Sequence, residues 1–390
     1  MKKITDLDLK DKKVLLRCDL NVPIENGKII DDTRIKKSLK TIEYCLNENC
    51  KLIIFSHLGR VKEEKDLKEK SLKPVAKRLE ELLDKKVIFV NETRGKKLED
   101  KINKLKNGEI LLVENTRFED LNGKKESKNN PELGKYWASL GDIFINDAFG
   151  TIHREHASNV GIASNIESAV GFLIETELNA LSSLNKPNKP FILILGGAKV
   201  EDKIGVIENL IKKADYILIG GGMAFTFLAS EGFGTGSSII DNNSIDFCTR
   251  ILKKYPNKII LPVDVNCTTE FNNTTPHKIK NITDIKDNEM GLDLGEKTIE
   301  LYKNYLSKAK TVLWNGPLGV YEFSKYKKAT DDILNYLVDN NIKTILGGGD
   351  IVAAATNAKV DDKIYHVSTG GGATLEYLEG KKLPGLEAIK

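Results

Sequence analysis

Residues 191–222 read FILILGGAKVEDKIGVIENLIKKADYILIGGG. The first five are apolar and branched, as in a strand buried on both faces. Gly196-Gly197 follow. Ile204, Ile207, Leu210 and Ile211 then recur at helical spacing, and a second buried run, Tyr216–Ile219, ends at Gly220–Gly222. Strand, glycine turn, amphipathic helix and strand make the repeating unit of a parallel sheet. The alternation extends both ways. Upstream, strands are expected at Val14–Arg17, Lys51–Ser56, Val87–Val90, Ile110–Val113 and Ile143–Asn146, with Ile35, Leu39, Ile42 and Leu46 marking a helix. Downstream they are expected at Lys258–Val263, Thr311–Trp314, Thr344–Leu346 and Tyr365–Val367. The fold class is therefore α/β, with doubly wound parallel sheets. At 390 residues the chain is too long for one core and implies two domains. The composition changes near Glu175–Pro190, where ETELNALSSL reads as a helix linking the lobes and NKPNKP as a stiff polar connector.

Charged residues make up 30% of the chain but leave a net charge of only +4, and the lysines alternate with acids. Such a pattern argues against nucleic acid as a partner. The apolar runs are strand-sized, which argues against a membrane span. The N-terminus, MKKITDLDLKDKK, has no apolar signal segment. Five cysteines without a paired spacing suit a reducing compartment, so a cytoplasmic protein is expected. No long exposed apolar helix suggests an obligate partner, so a monomer is expected.

Of eight arginines, seven lie before residue 155: Arg17, Arg34, Arg60, Arg78, Arg94, Arg117 and Arg154. Several stand at or just beyond strand ends, in RCDLNVP (17–23), DDTRI (31–35), SHLGR (56–60), ENTRF (114–118) and TIHRE (151–155). A guanidinium matches carboxylate and phosphate oxygens bidentately. Ligands of doubly wound sheets bind beyond the carboxyl ends of the strands. With His57, His153, Asp19 and Asn21 beside them, these arginines suggest a site for a small, multiply charged anion. Arg17, inside its strand run, has the alternative of pairing with an internal carboxylate.

The second half carries glycine clusters instead. LILGGAKVEDKI puts Gly196, Gly197, Lys199 and Lys203 between a strand and a helix, where backbone N–H groups can meet a phosphate. LGGGDIVAAAT gives three glycines and then Asp350, a carboxylate suited to tether Mg²⁺ or to cap a helix. HVSTGGGATLEYLEG sets Gly370–Gly372 before a helix, so free N–H groups could face a phosphoryl group in transfer. WNGPLGVYEF offers a rigid turn, with Glu322 able to accept from ribose hydroxyls. No Walker A motif, G-x-G-x-x-G, G-x-S-x-G, H-E-x-x-H or paired-cysteine zinc motif occurs. Two rival readings are an NAD-dependent dehydrogenase and a non-catalytic polyanion binder. The first lacks its fingerprint. The second fits a discrete Arg–His–Asp–Asn set poorly.

The ordered series RCDLNVP, DDTRI, SHLGR, ENTRF, FINDAFGTIHREHAS, GFLIETEL, ILGGAKVEDKI, IGGGMAFTF, LPVDV, TVLWNGPLGVYEF, LGGGD and HVSTGGGATLEYLEGKKLPG resembles the phosphoglycerate kinase family almost end to end. The resemblance implies two Rossmann-like lobes joined by a hinge helix and reversible phosphoryl transfer between 1,3-bisphosphoglycerate and ADP. It implies an N-terminal triose-binding lobe over residues 1–172, with the tail 378–390 packed back on it. A helix and linker would follow at 173–188, and an Mg-nucleotide lobe at 189–377. Asp19, Asn21, Arg34, His57, Leu58, Gly59, Arg60, Arg117, His153 and Arg154 would bind the triose. Gly197, Lys199, Lys203, Gly221, Asn315, Glu322, Gly348, Gly349, Asp350 and Ile351 would bind ADP or ATP, with Asp350 holding Mg²⁺. Arg34, Lys199, Gly371 and Gly372 would act on the phosphoryl group in flight. Ile351 stands where the family often has a hydroxyl, Thr176 where it often has lysine, and Asp293–Glu296 where it often has DIGP.

Overall fold

The computed structural model describes residues 1–389. The chain forms two compact units, one of Met1–Asn179 with the tail from Lys382, the other of Ala180–Lys381. The first unit contains β1 (Lys13–Arg17), the hairpin β2 (Ile24–Glu25) and β3 (Lys28–Ile29), β4 (Lys51–Phe55), β5 (Val87–Val90), β6 (Ile110–Val113), β7 (Ile143–Asn146) and β8 (Ser168–Val170). Its main sheet is parallel, in the order β5-β6-β4-β1-β7-β8. Successive residues of a strand point to opposite faces. Val14, Leu16, Leu52, Ile54 and Leu112 thus join one apolar cluster, while Leu15, Ile53, Phe55, Leu111 and Val113 join another. Helices cover both faces, so the central strands are apolar without alternation.

Register positions the site. Arg17 pairs with both Phe55 and Asn146, so β1, β4 and β7 end level. The segments after them, opening with Cys18, Ser56 and Asp147, leave the sheet at one edge. The strand order reverses about β1, the usual position for a ligand crevice.

The second unit repeats the plan with β9 (Phe191–Leu195), β10 (Tyr216–Ile219), β11 (Ile259–Ile260), β15 (Thr311–Asn315), β16 (Thr344–Leu346) and β17 (His366–Val367), in the order β11-β10-β9-β15-β16-β17. It adds a three-stranded antiparallel sheet of β12 (Asp264–Thr268), β13 (His277–Asn281) and β14 (Met290–Leu294) that the sequence pattern did not reveal. The run expected as one strand at Lys258–Val263 is cut short. Pro262 has no N–H for the parallel ladder, and the chain turns there into the second sheet. β15 extends one residue beyond the expected Trp314, β17 begins at His366 rather than Tyr365, and β8 was not anticipated.

The division between units lies inside the helix Phe172–Ser182, between Asn179 and Ala180. The sequence reading put the boundary at 172 and the linker at 173–188. It also assigned residues 378–381 to the tail. They go with the second unit instead, because the Leu378 carbonyl accepts from Asn209 Nδ2 at 2.7 Å and Gly205 lies tight against the Glu379 side chain. The tail proper begins at Lys382. Leu383 is buried, the Gly385 N–H donates to the Ile152 carbonyl at 2.9 Å, and Ala388 and Ile389 pack against the first unit's core.

Glycine is obligatory where the second unit's strand ends converge. A Cβ on Gly196 would lie 2.0 Å from the Pro317 carbonyl oxygen, and one on Gly316 2.4 Å from the Gly196 carbonyl oxygen. A Cβ on Gly349 meets nothing within 4 Å. Gly196→Ala is therefore expected to cost about 3 kcal/mol, the upper end for overpacking, whereas Gly349→Ala leaves stability unchanged. Urea unfolding followed by circular dichroism measures both, and equal midpoints for Gly196→Ala and the parent would refute the packing argument.

Candidate functional site

In the first unit, the strand ends deliver a cluster of positive charge around two buried imidazoles. Arg17 is fully buried. Its Nε donates to Ser158 Oγ at 2.9 Å, Nη1 to the Cys18 carbonyl at 2.6 Å, and Nη2 contacts His57 Nδ1 at 3.2 Å. Since arginine only donates, His57 Nδ1 is the acceptor and its Nε2 carries the proton. Burial holds the His57 pKa well below the usual value. The charges of Arg17, Arg117, Arg34 and Arg154 push it further the same way. Of these four guanidiniums, from four separate segments, Arg17 touches the ring and the other three act on it through their charge.

Asp19 and Asn21 arrange the edge of this cluster. Asp19 Oδ2 pairs with Arg34 Nη1 at 2.8 Å, and Asn21 Oδ1 accepts from the Gly59 N–H at 2.8 Å. Only Nη1 of Arg34 is used, and the side chain keeps 39% of its exposure. The Leu58–Gly59 turn is fixed by Asn115, whose side chain accepts from the Leu58 N–H and donates to the carbonyls of Leu58 and Lys70. Gly59 has a φ of +61°, which suits glycine there. Arg60 and Arg154 are exposed. Arg154 Nε donates to His153 Nε2 at 3.1 Å, leaving the buried His153 Nδ1 without a partner. Burial, then the Arg154 charge, lowers the His153 pKa to about 4.

Arg117 is 8% exposed. It approaches Asp120 at 3.6 Å, Ser127 at 3.3 Å and His156 Nε2 at 3.4 Å, and its Nε has no partner. Burial lowers its pKa against the opposing pull of Asp120 and Glu126, and the charges of Arg154 and Arg60 add to the lowering. His156 is driven down to about 2 by burial and then by Arg117 and Arg17. The sequence reading missed His156, Ser158 and Glu126, and placed Asn115 at a strand end, in ENTRF, without giving it a role. Glu126 lies in a polar loop and gives no local signal.

The second unit presents backbone rather than side-chain charge. Gly197, Gly221, Gly316 and Gly348 all have positive φ. Gly197, Gly349 and Gly371 each have open space above the Cα, so a ligand could approach their backbone closely. Asn315, 1% exposed at the end of β15, donates to the Gly347 carbonyl and stands against Gly348. Gly349–Asn357 is a helix, with Asp350 exposed in its first turn. The first N–H groups of a helix lack partners within it, and here they belong to Gly349, Asp350 and Ile351. The Ile351 side chain is fully buried in the core, so only its backbone can serve a ligand. Lys203 is half-buried. Burial lowers its pKa, opposed by Asp202, Asp350 and Glu379, so its ammonium shares a neighbourhood with Asp350. Lys199 and Glu322 are exposed. Gly371 and Gly372 open the helix Gly372–Leu378, steadied by a 2.6 Å contact between Ser368 and Thr374 hydroxyls. Thr176 Oγ1 donates to the Phe172 carbonyl of its own helix.

Comparison with known proteins agrees with this arrangement. The pattern of the phosphoglycerate kinase family matches residues 4–381. The chain is 58% identical to phosphoglycerate kinase of Fusobacterium nucleatum, with 100% of this chain and 99% of the relative covered. It is 56% identical to that of Listeria monocytogenes, with 100% and 98% covered. Among solved structures it resembles phosphoglycerate kinase from Coxiella burnetii, with a TM-score of 0.89, 38% identity and 99% and 98% of the two chains covered. It also resembles the enzyme from Pyrococcus horikoshii, with a TM-score of 0.85, 31% identity and 100% and 98% covered.

The imidazoles define a test. In the unliganded protein, the ring signals of His57, His153 and His156 are expected to show no titration between about pH 5.5 and 8 by NMR. Unfolded imidazoles take protons near the ordinary value of about 6.5. The lowered folded values therefore contribute stability that is full above that point and is lost as the pH falls toward the folded values. A titration midpoint near neutrality for any of the three would contradict the burial and charge crowding described.

Proposed function

Because the chain belongs to the phosphoglycerate kinase family, we propose that its first unit binds the triose and its second unit the nucleotide. The enzyme transfers a phosphoryl group reversibly between the carboxyl oxygen of 3-phosphoglycerate and ADP, through 1,3-bisphosphoglycerate. The observation that supports the assignment of the triose side is that level strand ends and the loops beside them carry Arg17 against His57, Arg34 against Asp19 and Arg154 against His153, with positive charge felt at the buried His57. Crowded like charges favour a multivalent anion. Arg60, Arg117, Arg154 and His153 would hold its phosphate, and His57 would donate from Nε2. Asp19 and Asn21 would accept from or orient the hydroxyl, and the Leu58–Gly59 turn would close the edge.

On the nucleotide side, Gly197, Gly221, Gly348 and Gly349 would admit phosphates to the backbone, joined by the N–H of Ile351. Lys199 and Lys203 would add charge, Asn315 would hold the cradle's shape, and Glu322 would accept from the ribose. Asp350 suits Mg²⁺, which takes one or two carboxylates together with phosphate oxygens, because it is exposed beside an open glycine turn. When bound, Mg²⁺ would offset the charge of the phosphates. Arg34, Lys199 and the N–H groups of Gly371 and Gly372 would stabilise charge on the group in transfer.

A carboxylate is a weakly basic leaving group, so no side chain needs to act as an acid. The low pKa values of the site's histidines are consistent with this. Catalysis is positioning and charge stabilisation. Direct transfer requires a closed state in which the two substrates meet away from water. We further propose that the enzyme acts as a cytoplasmic monomer. Five free, buried cysteines accord with a reducing compartment.

Two variants test the division of labour, with Mg-ATP and 3-phosphoglycerate as substrates and product coupled to NADH oxidation through glyceraldehyde-phosphate dehydrogenase. Arg34→Ala is expected to lower turnover roughly 10²–10³-fold, the scale of a lost charge-stabilising donor. Unimpaired turnover would remove Arg34 from the mechanism. Gly349→Ala, whose methyl would enter the open cradle, is expected to raise KM for Mg-ATP roughly tenfold, as for a lost phosphate hydrogen bond. It should leave KM for 3-phosphoglycerate unchanged, and the reverse pattern would overturn the nucleotide assignment.

A further inference from the structure

Glu126 is completely buried in the loop after the Arg117 segment, and the proposed chemistry gives it no role. Its Oε2 accepts from the Ser158 N–H at 2.9 Å and its Oε1 from the Ser158 hydroxyl. The same hydroxyl accepts from Arg17 Nε at 2.9 Å, and Arg17 continues to His57. The other chain of contacts runs through His156, whose Nδ1 lies 4.0 Å from Glu126 Oε1 and whose Nε2 faces Arg117 Nη2 at 3.4 Å. Arginine cannot accept, so Nε2 must present its lone pair and Nδ1 must carry the proton, on the side of Glu126 but beyond hydrogen-bond reach of it. One hidden carboxylate thus stands behind two guanidiniums, with a hydroxyl in one path and a neutral imidazole in the other. Resting on the reading of the first unit as the triose site, we propose that Glu126 is a positioning residue that holds Arg17 against His57, and Arg117 beside His156, so that His57 and Arg117 receive 3-phosphoglycerate without Glu126 touching it.

The physical need is clear. Arg17 and Arg117 both lie in the interior, where an isolated charge is costly. Asp120 already approaches Arg117 Nη1 at 3.6 Å, and a second carboxylate in direct contact would occupy more of the edge that a phosphate requires. With a residue between Glu126 and each guanidinium, the countercharge remains while Arg117 Nε keeps no protein partner. Glu126→Gln is the sharpest change, because it keeps volume and one acceptor but presents an NH₂ group. That group removes the negative charge facing the His156 Nδ1 proton, which favours the tautomer protonated at Nε2, where the proton opposes the donors of Arg117.

Glu126→Gln is expected to raise KM for 3-phosphoglycerate about tenfold, the scale of a hydrogen bond to a charged group, with kcat and KM for Mg-ATP unchanged. An unchanged KM for 3-phosphoglycerate would overturn the inference. So would a uniform fall in every parameter together with the melting temperature, since that marks a merely structural role. Arg117→Lys provides the second arm. Adding Glu126→Gln to it should produce no further rise, and additive effects would refute the path through Arg117. If Arg117→Lys alone leaves KM for 3-phosphoglycerate unchanged, the triose-site reading itself fails. Should Glu126→Gln not fold, His156→Ala and His156→Gln decide. The amide of Gln can accept from Arg117, so Gln should restore affinity that Ala loses, and equal losses would overturn the proposal.

Discussion

Like charges drawn together inside a protein repel, and burial magnifies the repulsion. The first unit depends on managing this. β1, β4 and β7 end level, β1 in Arg17 itself, and the segments that follow β4 and β7 carry His57 and Arg154 from the same edge of the sheet. The histidines among them stay neutral, which removes charges the cluster could not tolerate. Arg34 is offset by a direct partner, Asp19, at its more exposed rim. Arg17, at the centre, is offset through Ser158. A surplus of positive charge thereby remains at these strand ends, which the proposed triose would neutralise.

The second unit meets a different constraint. Its proposed binding surface is main chain, and main chain can be offered to a ligand only where side chains do not intervene. Gly196, Gly220, Gly221 and Gly316 pack so tightly against one another's segments that a methyl group would collide with backbone or with Leu318. Gly197, Gly349 and Gly371 face open space. The first group closes the scaffold and the second opens it. All of them stand in turns after strands, but their roles differ.

The central strands were legible because burial on both faces leaves a run of branched apolar residues with polar or glycine ends. Short strands carry no such signal. Ser168–Val170 is three residues long, and Ile259–Ile260 ends where Pro262 breaks the ladder. The antiparallel sheet was hidden because its strands mix Lys, Asn and Asp with few apolar residues, as in His277–Asn281. Arginines and glycines at strand ends could be read as candidate ligand residues, since topology alone fixes where strand ends lie. Ser158 and Glu126 could not be read that way. Their importance comes from contacts across many residues of sequence, and a polar residue in a loop looks the same whether it faces water or a buried guanidinium.

Ile351 shows how far the backbone can substitute for a side chain. Its fully buried side chain packs with Ala354 and Ala355 in the core beneath the helix that opens at Gly349. The apolar anchor holds the first turn of that helix against the sheet. Three N–H groups without helical partners are thereby fixed in direction at the helix terminus, where the dipole is positive. A hydroxyl at this position could offer one more hydrogen bond to a phosphate, but would place a polar atom where this chain buries a branched apolar side chain. On the proposed reading of this turn as a phosphate cradle, donors oriented by packing would confine the loss to one contact and keep the property that matters for a phosphate: several donors held in place before the ligand arrives.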